Sequence, residues 1–209
     1  MRGAFIVVEG PDGAGKTTLS AGLARRLRDT GLTVRVVREP GGTPLAERAR
    51  EAVLDTGLAA SPLAELFLML AARADHVAKV IQPALAAGEV VVSDRFELST
   101  AAYQIAGRQL PREAVLEANR LATGGLAPHL TLVVDVPAAV GYARRAGAGK
   151  TADRIEGDER ALHERVAQAF REAAGPSVVH LDGTLPADRV EGAAWTAVRE
   201  RLGELFPRR

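Results

Sequence analysis

The sequence reads Gly10-Pro11-Asp12-Gly13-Ala14-Gly15-Lys16-Thr17-Thr18 directly after the apolar run Phe5-Ile6-Val7-Val8. The nine residues match the phosphate-binding pattern G-x-x-x-x-G-K-[ST] without a mismatch. The β-branched run before them is typical of a buried strand, and Leu19, Leu23 and Leu27 have the spacing of an amphipathic helix. Because strand, loop and helix follow in the order that the motif requires, the stretch predicts a binding site for a nucleoside triphosphate.

Each residue type in this loop has a physical role in holding phosphate. Gly10, Gly13 and Gly15 allow the backbone to wrap closely, so that its N–H groups face phosphate oxygens. The start of the following helix contributes the positive end of its dipole, Lys16 contributes a charge, and the Thr17 hydroxyl can ligate Mg²⁺. The alternative is a chance glycine-rich turn before a helix, and the complete context of the motif argues against it.

The composition is that of an ordinary globular chain. The 209 residues suit one domain, spanning 1–209, and the 47% hydrophobic content is enough for a sizeable core. A net charge of +1 gives no reason to expect binding to nucleic acid or to a membrane surface. The lack of cysteine excludes disulfides and cysteine chemistry, and no stretch of 18 apolar residues predicts a membrane span. We therefore expect a soluble, cytoplasmic protein.

Short apolar runs alternate with helical patterns along the chain. Strands are predicted at 5–8, 33–37, 89–93, 130–135 and 177–181, and helices at about 45–54, 62–83, 98–106, 111–122 and 187–205. This alternation indicates an α/β chain with a five-stranded parallel sheet and helices on both faces, the three-layer fold of P-loop NTPases. Ligands bind at the carboxyl ends of such strands, where we expect the loops at 9–17, 38–44, 94–104, 135–137 and 182–186 to gather. A Gly- and Arg-rich segment at about 144–157 predicts a small mobile flap.

Several further stretches resemble the thymidylate (dTMP) kinase family and occur in that family's order. They are Arg38-Glu39-Pro40-Gly41-Gly42-Thr43, Ala72-Arg73, the D-R-x-x-x-S-T-x-x-Y-Q stretch from Asp94 to Gln104, and Asp153-Arg154-Ile155-Glu156. Together with the phosphate loop they span nearly the whole chain. The resemblance implies phosphoryl transfer from ATP to dTMP, giving dTDP and ADP, with Mg²⁺ as a cofactor. It also implies a homodimer, for which the helices at 62–82 and 98–122 are candidates.

The resemblance implies a role for each matching residue. The loop residues Gly10, Pro11, Asp12, Gly13, Ala14, Gly15, Lys16, Thr17 and Thr18 would bind ATP, and Thr17, Asp94 and Asp12 would hold the metal. The dTMP site would comprise Glu39, Pro40, Met69, Arg73, Arg95, Ser99, Thr100, Tyr103 and Gln104. An arginine at position 95 can fork a phosphate bidentately, which a lysine does less well. In the resembled family the matches to Arg73 and Gln104 flank the thymine, and the match to Tyr103 lies beside the sugar.

Other interpretations of these side chains are also open. Arg73 could be a solvated residue on a helix face, Arg95 could pair with Asp94, and Tyr103 could be a half-buried core residue. Glu9 is expected to tune the phosphate loop from below.

The flap segment carries four basic residues, Arg144, Arg145, Lys150 and Arg154. With Gly13 in the loop, the chain resembles the bacterial type of the family, in which flap arginines act on the transferring phosphoryl group. The catalytic set is therefore Lys16, Arg95, Arg144, Arg145, Lys150 and Asp12, with Arg145 favoured among the flap residues and Arg154 expected to pair with Asp153 or Glu156. Gly147-Ala148-Gly149-Lys150-Thr151 repeats part of the loop motif, but a predicted helix precedes it, so we do not expect a second phosphate loop.

One residue departs from the family pattern. Met69 stands where the family usually has an aromatic residue that stacks on thymine, and a thioether can also lie against a base. Three alternatives therefore remain: a kinase for a related pyrimidine deoxynucleotide such as dUMP, a nucleotide-binding module without turnover, and a deoxynucleoside kinase with Glu39 as base. A GTP-dependent switch is not expected, because the N-K-x-D stretch that reads guanine is missing from the sequence.

Overall fold

The central element of the fold is a parallel sheet with the strand order β2-β3-β1-β4-β5. It is described by a computed structural model that covers residues 3–147, 155 and 160–205. The strands are β1 (Ala4–Glu9), β2 (Val34–Arg38), β3 (Val90–Asp94), β4 (Leu130–Asp135) and β5 (Val178–Asp182). Every neighbouring pair of strands runs parallel. The predicted five-stranded α/β fold is confirmed.

Helices cover both faces of the sheet. In chain order they are α1 (Lys16–Asp29), α2 (Pro44–Leu54), α3 (Pro62–His76), α4 (Gln82–Ala86), α5 (Glu97–Thr100), α6 (Arg112–Thr123), α7 (Ala138–Gly147), α8 (Arg160–Arg171) and α9 (Ala187–Arg201). None of the helices in the described part of the chain is long and apolar enough to cross a membrane.

The two faces of β1 explain why this strand lies at the centre. All six of its residues are buried. Ile6 and Val8 pack with leucines of α1 and small residues of α9, whereas Phe5 and Val7 pack on the opposite face with Val77 at the end of α3. An apolar run with both faces covered is typical of a central strand in a parallel sheet. The loop that leaves its carboxyl end is therefore anchored by the most buried strand of the protein.

Two predicted helices are interrupted by π-helical turns. The helix expected at 62–83 ends as α3 and continues through a π-helix, Val77–Ile81, into α4. Pro83 has no N–H to donate, and the Gln82 N–H donates to the Val77 carbonyl five residues back, which widens the turn. The helix expected at 98–106 is α5 followed by the π-helix Ala101–Gly107. The last helix ends at Arg201, and a 3₁₀ turn, Gly203–Leu205, follows it.

A histidine bridge joins the carboxyl ends of β4 and β5. His180 Nδ1 lies 2.7 Å from Asp135 Oδ2, and Nε2 lies 2.7 Å from the Ala173 carbonyl oxygen. Both neighbours accept hydrogen bonds, so the ring satisfies both only as an imidazolium. Partial burial lowers the pKa of His180, but the bonds to Ala173 and Asp135 outweigh burial and raise the pKa above its usual value.

We expect this bridge to make the folding stability depend on pH. Because the folded-state pKa is raised, the stabilisation is fully present below about pH 6.5, the pKa of an unperturbed histidine, and is lost as the pH rises through the folded-state pKa. The variant His180→Gln, neutral at every pH, should therefore melt below the parent at pH 5.5, and the gap should narrow by pH 8. Thermal melts of both proteins across this range test the prediction, and a gap that is independent of pH would contradict it.

Candidate active site

The loop between β1 and α1 forms the centre of the site. Gly13 has a φ of 78°, and a Cβ at this position would clash with the carbonyl oxygen of Gly141 in α7. The loop is thus pressed against the helix that carries Arg144. The Lys16 side chain is 7% exposed, and its Nζ donates a hydrogen bond to the Pro11 carbonyl at 2.8 Å. The lysine consequently lies along the loop that the motif predicts to hold phosphate.

The environment of Lys16 changes its ionisation. Burial lowers the pKa of the ammonium group to about 8, and the nearby positive charge of Arg95 acts in the same direction. The carboxylates of Asp12, Asp94 and Glu9 partly offset both effects. The amine is therefore charged at neutral pH and begins to lose its proton in mildly alkaline solution.

Two of the predicted metal ligands meet beside the loop. Thr17 is the second residue of α1 and Asp94 is the last residue of β3, and the Thr17 hydroxyl donates to Asp94 Oδ2 at 2.6 Å. Hydroxyl and carboxylate oxygens suit Mg²⁺, which usually takes one or two protein ligands together with substrate phosphates. The described residues contain no group of three or more His, Cys, Asp or Glu side chains able to hold a metal alone. This pair fits a magnesium ion that arrives with a nucleotide.

Arg95 lies directly after β3 and is bound to the phosphate loop. Its Nη2 forms an ion pair with Asp12 Oδ1, and its Nη1 donates to the Gly10 carbonyl at 3.2 Å and to Ser99 Oγ at 3.0 Å. The Tyr103 hydroxyl donates to the other Asp12 oxygen at 2.5 Å. The alternative pairing of Arg95 with Asp94 is therefore wrong: the guanidinium reaches across to Asp12, 83 residues earlier in the chain. The alternative of a core tyrosine is half right, since Tyr103 is buried against Phe170 but keeps its hydroxyl in this network.

Glu9 directly precedes the phosphate loop and is hydrogen-bonded to the start of α5. Its carboxylate is fully buried and accepts hydrogen bonds from the backbone N–H groups of Phe96 and Ser99 and from the Ser99 hydroxyl. Burial raises the pKa of Glu9, although these bonds and the charge of Arg95 oppose the rise. The charge of Glu9 acts on Lys16 of the phosphate loop, in agreement with the prediction, and its hydrogen bonds also fix the start of α5 behind Arg95, which the sequence did not predict.

Arg73 is a buried residue, and the solvated alternative is wrong. The residue is 5% exposed, and its Nε donates to Glu39 Oε2 at 2.7 Å. Its Nη1 donates to the Thr100 hydroxyl and to Asn119 Oδ1, each at 2.5 Å, and its Nη2 to the Phe96 carbonyl at 2.8 Å. A guanidinium held by four partners is rigid, so Arg73 is a fixed positive group in the wall of the site.

One cavity unites the predicted acceptor residues. It is lined by every member of the predicted dTMP set, namely Glu39, Pro40, Met69, Arg73, Arg95, Ser99, Thr100, Tyr103 and Gln104, and by Asp12. Phe67, the aromatic residue nearest to Met69 in sequence, is 58% exposed and is not among the lining residues. Three further lining residues were not predicted: Arg50, Leu54 and Ile155. Arg50 and Leu54 occupy α2, whose amphipathic pattern indicates only that one face is buried. Ile155 belongs to the stretch 153–156 that resembles the family, but no role was predicted for it.

A second cavity lies on the other side of the phosphate loop. Its lining includes Gly13, Ala14, Gly15, Thr18 and Arg144 from the predicted set. Gly183 and Leu185 also line it, from the loop after β5, which the sequence predicts at this edge without a role. Arg144 is exposed in α7, whereas the Arg145 side chain and the predicted flap residues Lys150 and Arg154 lie outside the described residues. The predicted helix before the repeat is confirmed, since α7 leads up to Gly147.

Two cavities thus flank one phosphate loop, and the first of them is lined by three arginines, Arg50, Arg73 and Arg95. This fold and this arrangement define the class of P-loop enzymes that transfer a phosphoryl group between two anionic substrates. The family model described as thymidylate kinase matches residues 8–193. The chain belongs to the thymidylate kinase family.

Individual relatives cover almost the whole chain. A thymidylate kinase from Thermomicrobium roseum is 48% identical over 199 residues, which are 94% of each chain. A thymidylate kinase from Synechococcus sp. is 49% identical over 201 residues, or 95% of each chain. A thymidylate kinase from Deinococcus radiodurans is 45% identical over 203 residues, which are 96% of this chain and 98% of the relative.

Proposed function

We propose that the protein transfers the γ-phosphoryl group of ATP to dTMP and releases dTDP and ADP. The observation that carries the proposal is the single cavity that collects all nine predicted acceptor residues beside the phosphate loop. Membership in the thymidylate kinase family supports dTMP over the other acceptors and supports turnover over binding alone. The same proposal treats residues 1–209 as one kinase domain with a flap at about 144–157. It also places the protein in the cytoplasm.

In the proposed reaction the chain positions two polyanions and neutralises their charge. The phosphate loop from Gly10 to Thr18 and Lys16 hold the donor phosphates, and the cavity beside Gly183 takes the remainder of ATP. Arg95 exchanges its carboxylate partner, Asp12, for the acceptor phosphate, and Asp12 then turns toward the sugar or the metal. Arg144 is the described flap residue nearest to the donor cavity, and Arg145 and Lys150 share the proposed task of contacting the transferring group. Catalysis by position and charge is the usual strategy for this chemistry.

The acceptor base would lie between Arg73, Gln104 and Met69. Gln104 is fully buried, and its Nε2 donates to Glu65 at 2.9 Å, so its amide is held in one orientation. The methionine contributes an apolar, polarisable surface in place of an aromatic ring. Discrimination of thymine from uracil then depends on one methyl group, which is worth only about 1–3 kcal/mol in an apolar pocket.

The experiment that tests the function is a coupled ADP-release assay with ATP·Mg²⁺ and a panel of acceptors: dTMP, dUMP, UMP, CMP, AMP and thymidine. We expect strong preference for dTMP. Preference for dUMP or another monophosphate would change the assigned acceptor. Turnover of thymidine would indicate a deoxynucleoside kinase. ATP binding without any turnover would contradict the proposal that the protein is an enzyme.

The proposed reaction requires Mg²⁺, and the residues that would hold this ion lead to a prediction. Mg²⁺ would be held by Thr17 and Asp94 and would neutralise charge on the donor phosphates. The variant Asp94→Asn removes the carboxylate charge at constant size, so we expect the half-saturating Mg²⁺ concentration to rise about tenfold or more. Titration of activity with Mg²⁺ measures this shift. Asp135→Asn, the same change at the end of β4, is the control, and equal shifts in both variants would contradict the assignment.

We further propose that the protein is a homodimer joined through α3 and α6. These helices pack on each other through Leu66, Leu70 and Val115. They nevertheless leave Phe67 58% and Leu121 78% exposed, together with further leucines at 63 and 116. Large apolar side chains grouped on neighbouring helices are typical of a protein contact surface.

Sedimentation equilibrium tests the dimer directly. We expect a mass twice the 22.0 kDa of the chain. Placing a charge in the apolar contact with Leu121→Glu should shift the mass toward that of the monomer, whereas Leu185→Glu, an equal change at a leucine outside these two helices, should not. A parent protein that sediments as a monomer would contradict the proposal.

A further inference from the structure

His76 is a buried histidine that the reaction described above does not use. It is the last residue of α3, and it is 0% exposed. Neither of its ring nitrogens has a hydrogen-bond partner, and Glu39 Oε1, at 3.5 Å from Nδ1, also has none. Buried polar groups are rarely left unpaired, because the desolvation cost of each is not recovered. Nδ1 and Oε1 face each other at the outer limit of hydrogen-bond distance, and this arrangement therefore requires an explanation.

Glu39 connects this histidine to the acceptor cavity. Its other oxygen, Oε2, accepts the hydrogen bond from Arg73 Nε, and both Glu39 and Arg73 line the cavity. His76 does not line that cavity but contributes to the cleft on its far side, which also includes Thr17 and Asp94. His76 thus contacts Glu39, Glu39 contacts Arg73, and the Arg73 guanidinium lies at the cavity surface that would meet the acceptor.

The charge state of Glu39 fits an acceptor role toward both neighbours. Burial alone would raise the pKa of this carboxyl group, but Arg73 and His76 outweigh burial and lower it. Each oxygen of an ionised carboxylate can accept hydrogen bonds. Oε2 of Glu39 accepts from Arg73, and Oε1 remains available to a second donor.

The loop that carries Glu39 holds the ring from the other side. A Cβ on Gly42 would lie 2.5 Å from His76 Nε2, so the imidazole fills the space beneath this glycine. The next residue, Thr43, donates to Asp75 Oδ2 at 2.5 Å, which fixes the loop to the same turn of α3. The ring therefore cannot move away from Glu39 without moving the loop.

We propose that His76 is a positioning residue for the acceptor: its Nδ1–H donates to Glu39 Oε1 when the monophosphate occupies the cavity, and this bond holds the Glu39–Arg73 pair against the ligand. The inference depends on the proposed function only in that the ligand is a nucleoside monophosphate. The gap of 3.5 Å needs to close by only a few tenths of an ångström to reach the usual range of about 2.7–3.2 Å. Shrinking the cavity around a bound acceptor supplies a movement of this size.

Two amide variants test the proposal because they differ only in where the donor lies. His76→Asn places an N–H donor near the position of Nδ1, whereas His76→Gln places one near Nε2, toward Gly42. We expect the KM for dTMP to rise about tenfold in His76→Gln, as when a hydrogen bond to a charged group is lost, and to stay within about threefold of the parent in His76→Asn. The KM for ATP and kcat should change little in either, because neither the phosphate loop nor the flap is altered.

A spectroscopic measurement on the unmutated protein gives an independent result. In protein labelled with ¹⁵N at histidine, addition of dTMP should shift the Nδ1 resonance of His76 toward that of a hydrogen-bonded N–H. His129, whose Nδ1 already accepts from the Phe5 N–H at 3.0 Å, is the internal control and should not move.

The outcomes separate the inference from the function on which it rests. The parent is first assayed with the acceptor panel, and the variants are then compared with whichever monophosphate the parent turns over, so a different acceptor would replace dTMP without deciding the role of His76. Equal KM values in both amide variants, or an equal rise in the KM for both nucleotides, would overturn the positioning role. An unshifted His76 resonance in the presence of bound acceptor would overturn it as well.

Discussion

Replacing Lys16 by methionine is expected to lower kcat/KM for ATP about 10³-fold, the cost of removing one preorganised charge stabiliser from an active site. Methionine keeps an unbranched stem of similar length, so the loss reports the charge and not a cavity. Lys16 is 7% exposed and bound to the phosphate loop, and it is the only lysine among the predicted catalytic residues that lies in the described part of the chain. Initial rates with ATP and dTMP measure the effect.

The pH dependence of the same enzyme gives a sharper form of this prediction. Burial lowers the pKa of Lys16 to about 8, so the free enzyme should lose the charge above that pH and kcat/KM for ATP should fall. The variant Lys16→Arg keeps its charge at any accessible pH and should lack this alkaline decline, whatever its activity.

The control for both measurements is Lys79→Met. Lys79 pairs with Asp75, and its side chain is 64% exposed. The control variant should keep the parent's rate and the alkaline decline. A Lys16→Met enzyme within tenfold of the parent, or a decline that persists in Lys16→Arg, would contradict the role of the Lys16 ammonium.

Arg95→Gln is expected to have an effect of similar size on the acceptor, lowering kcat/KM for dTMP about 10³-fold. Glutamine can replace one of the hydrogen bonds but neither the charge nor the bidentate fork that suits a phosphate. The loss should extend to stability, because the partly buried ion pair between Arg95 and Asp12 is broken. Steady-state kinetics and thermal melting of the same variant measure both effects.

Arg95→Lys separates charge from geometry. Lysine restores the charge, so the melting temperature should recover, whereas kcat/KM for dTMP should stay well below that of the parent because a point charge cannot form the fork. Arg48→Gln is the control, since the Arg48–Glu51 pair is exposed on α2 and such pairs contribute little to stability. Full activity in Arg95→Lys would show that charge alone is needed.

The features that the sequence predicts well are local in the chain. The strand and helix that identify the phosphate loop lie within a dozen residues of it. The fold class follows from the alternation of strands and helices. The set of acceptor residues came from the family resemblance, which carries information about distant contacts that periodicity does not contain.

The features that were missed depend on contacts between distant segments. The partner of Arg95 is Asp12, 83 residues away, and the nearer carboxylate of Asp94 is the natural expectation from sequence alone. Arg73 is flanked in sequence by Ala72 and Ala74, and its partners are contributed by the segment after β3, by α5 and by α6. Glu9 is the last residue of a buried strand, but only the fold reveals that the start of α5 supplies its three donors.

The pairing of Arg95 with Asp12 also limits the binding of small anions to the empty acceptor site. Chloride, inorganic phosphate or any other small anion must compete with a carboxylate that is covalently tethered a few ångströms away and therefore present at a high effective concentration. A bare anion gains nothing else from the exchange, whereas a nucleotide also gains contacts from its base and sugar. We therefore expect small anions in the solution to have little effect on the acceptor site. Arg95 should exchange Asp12 only for a ligand that makes further contacts besides those of its charge.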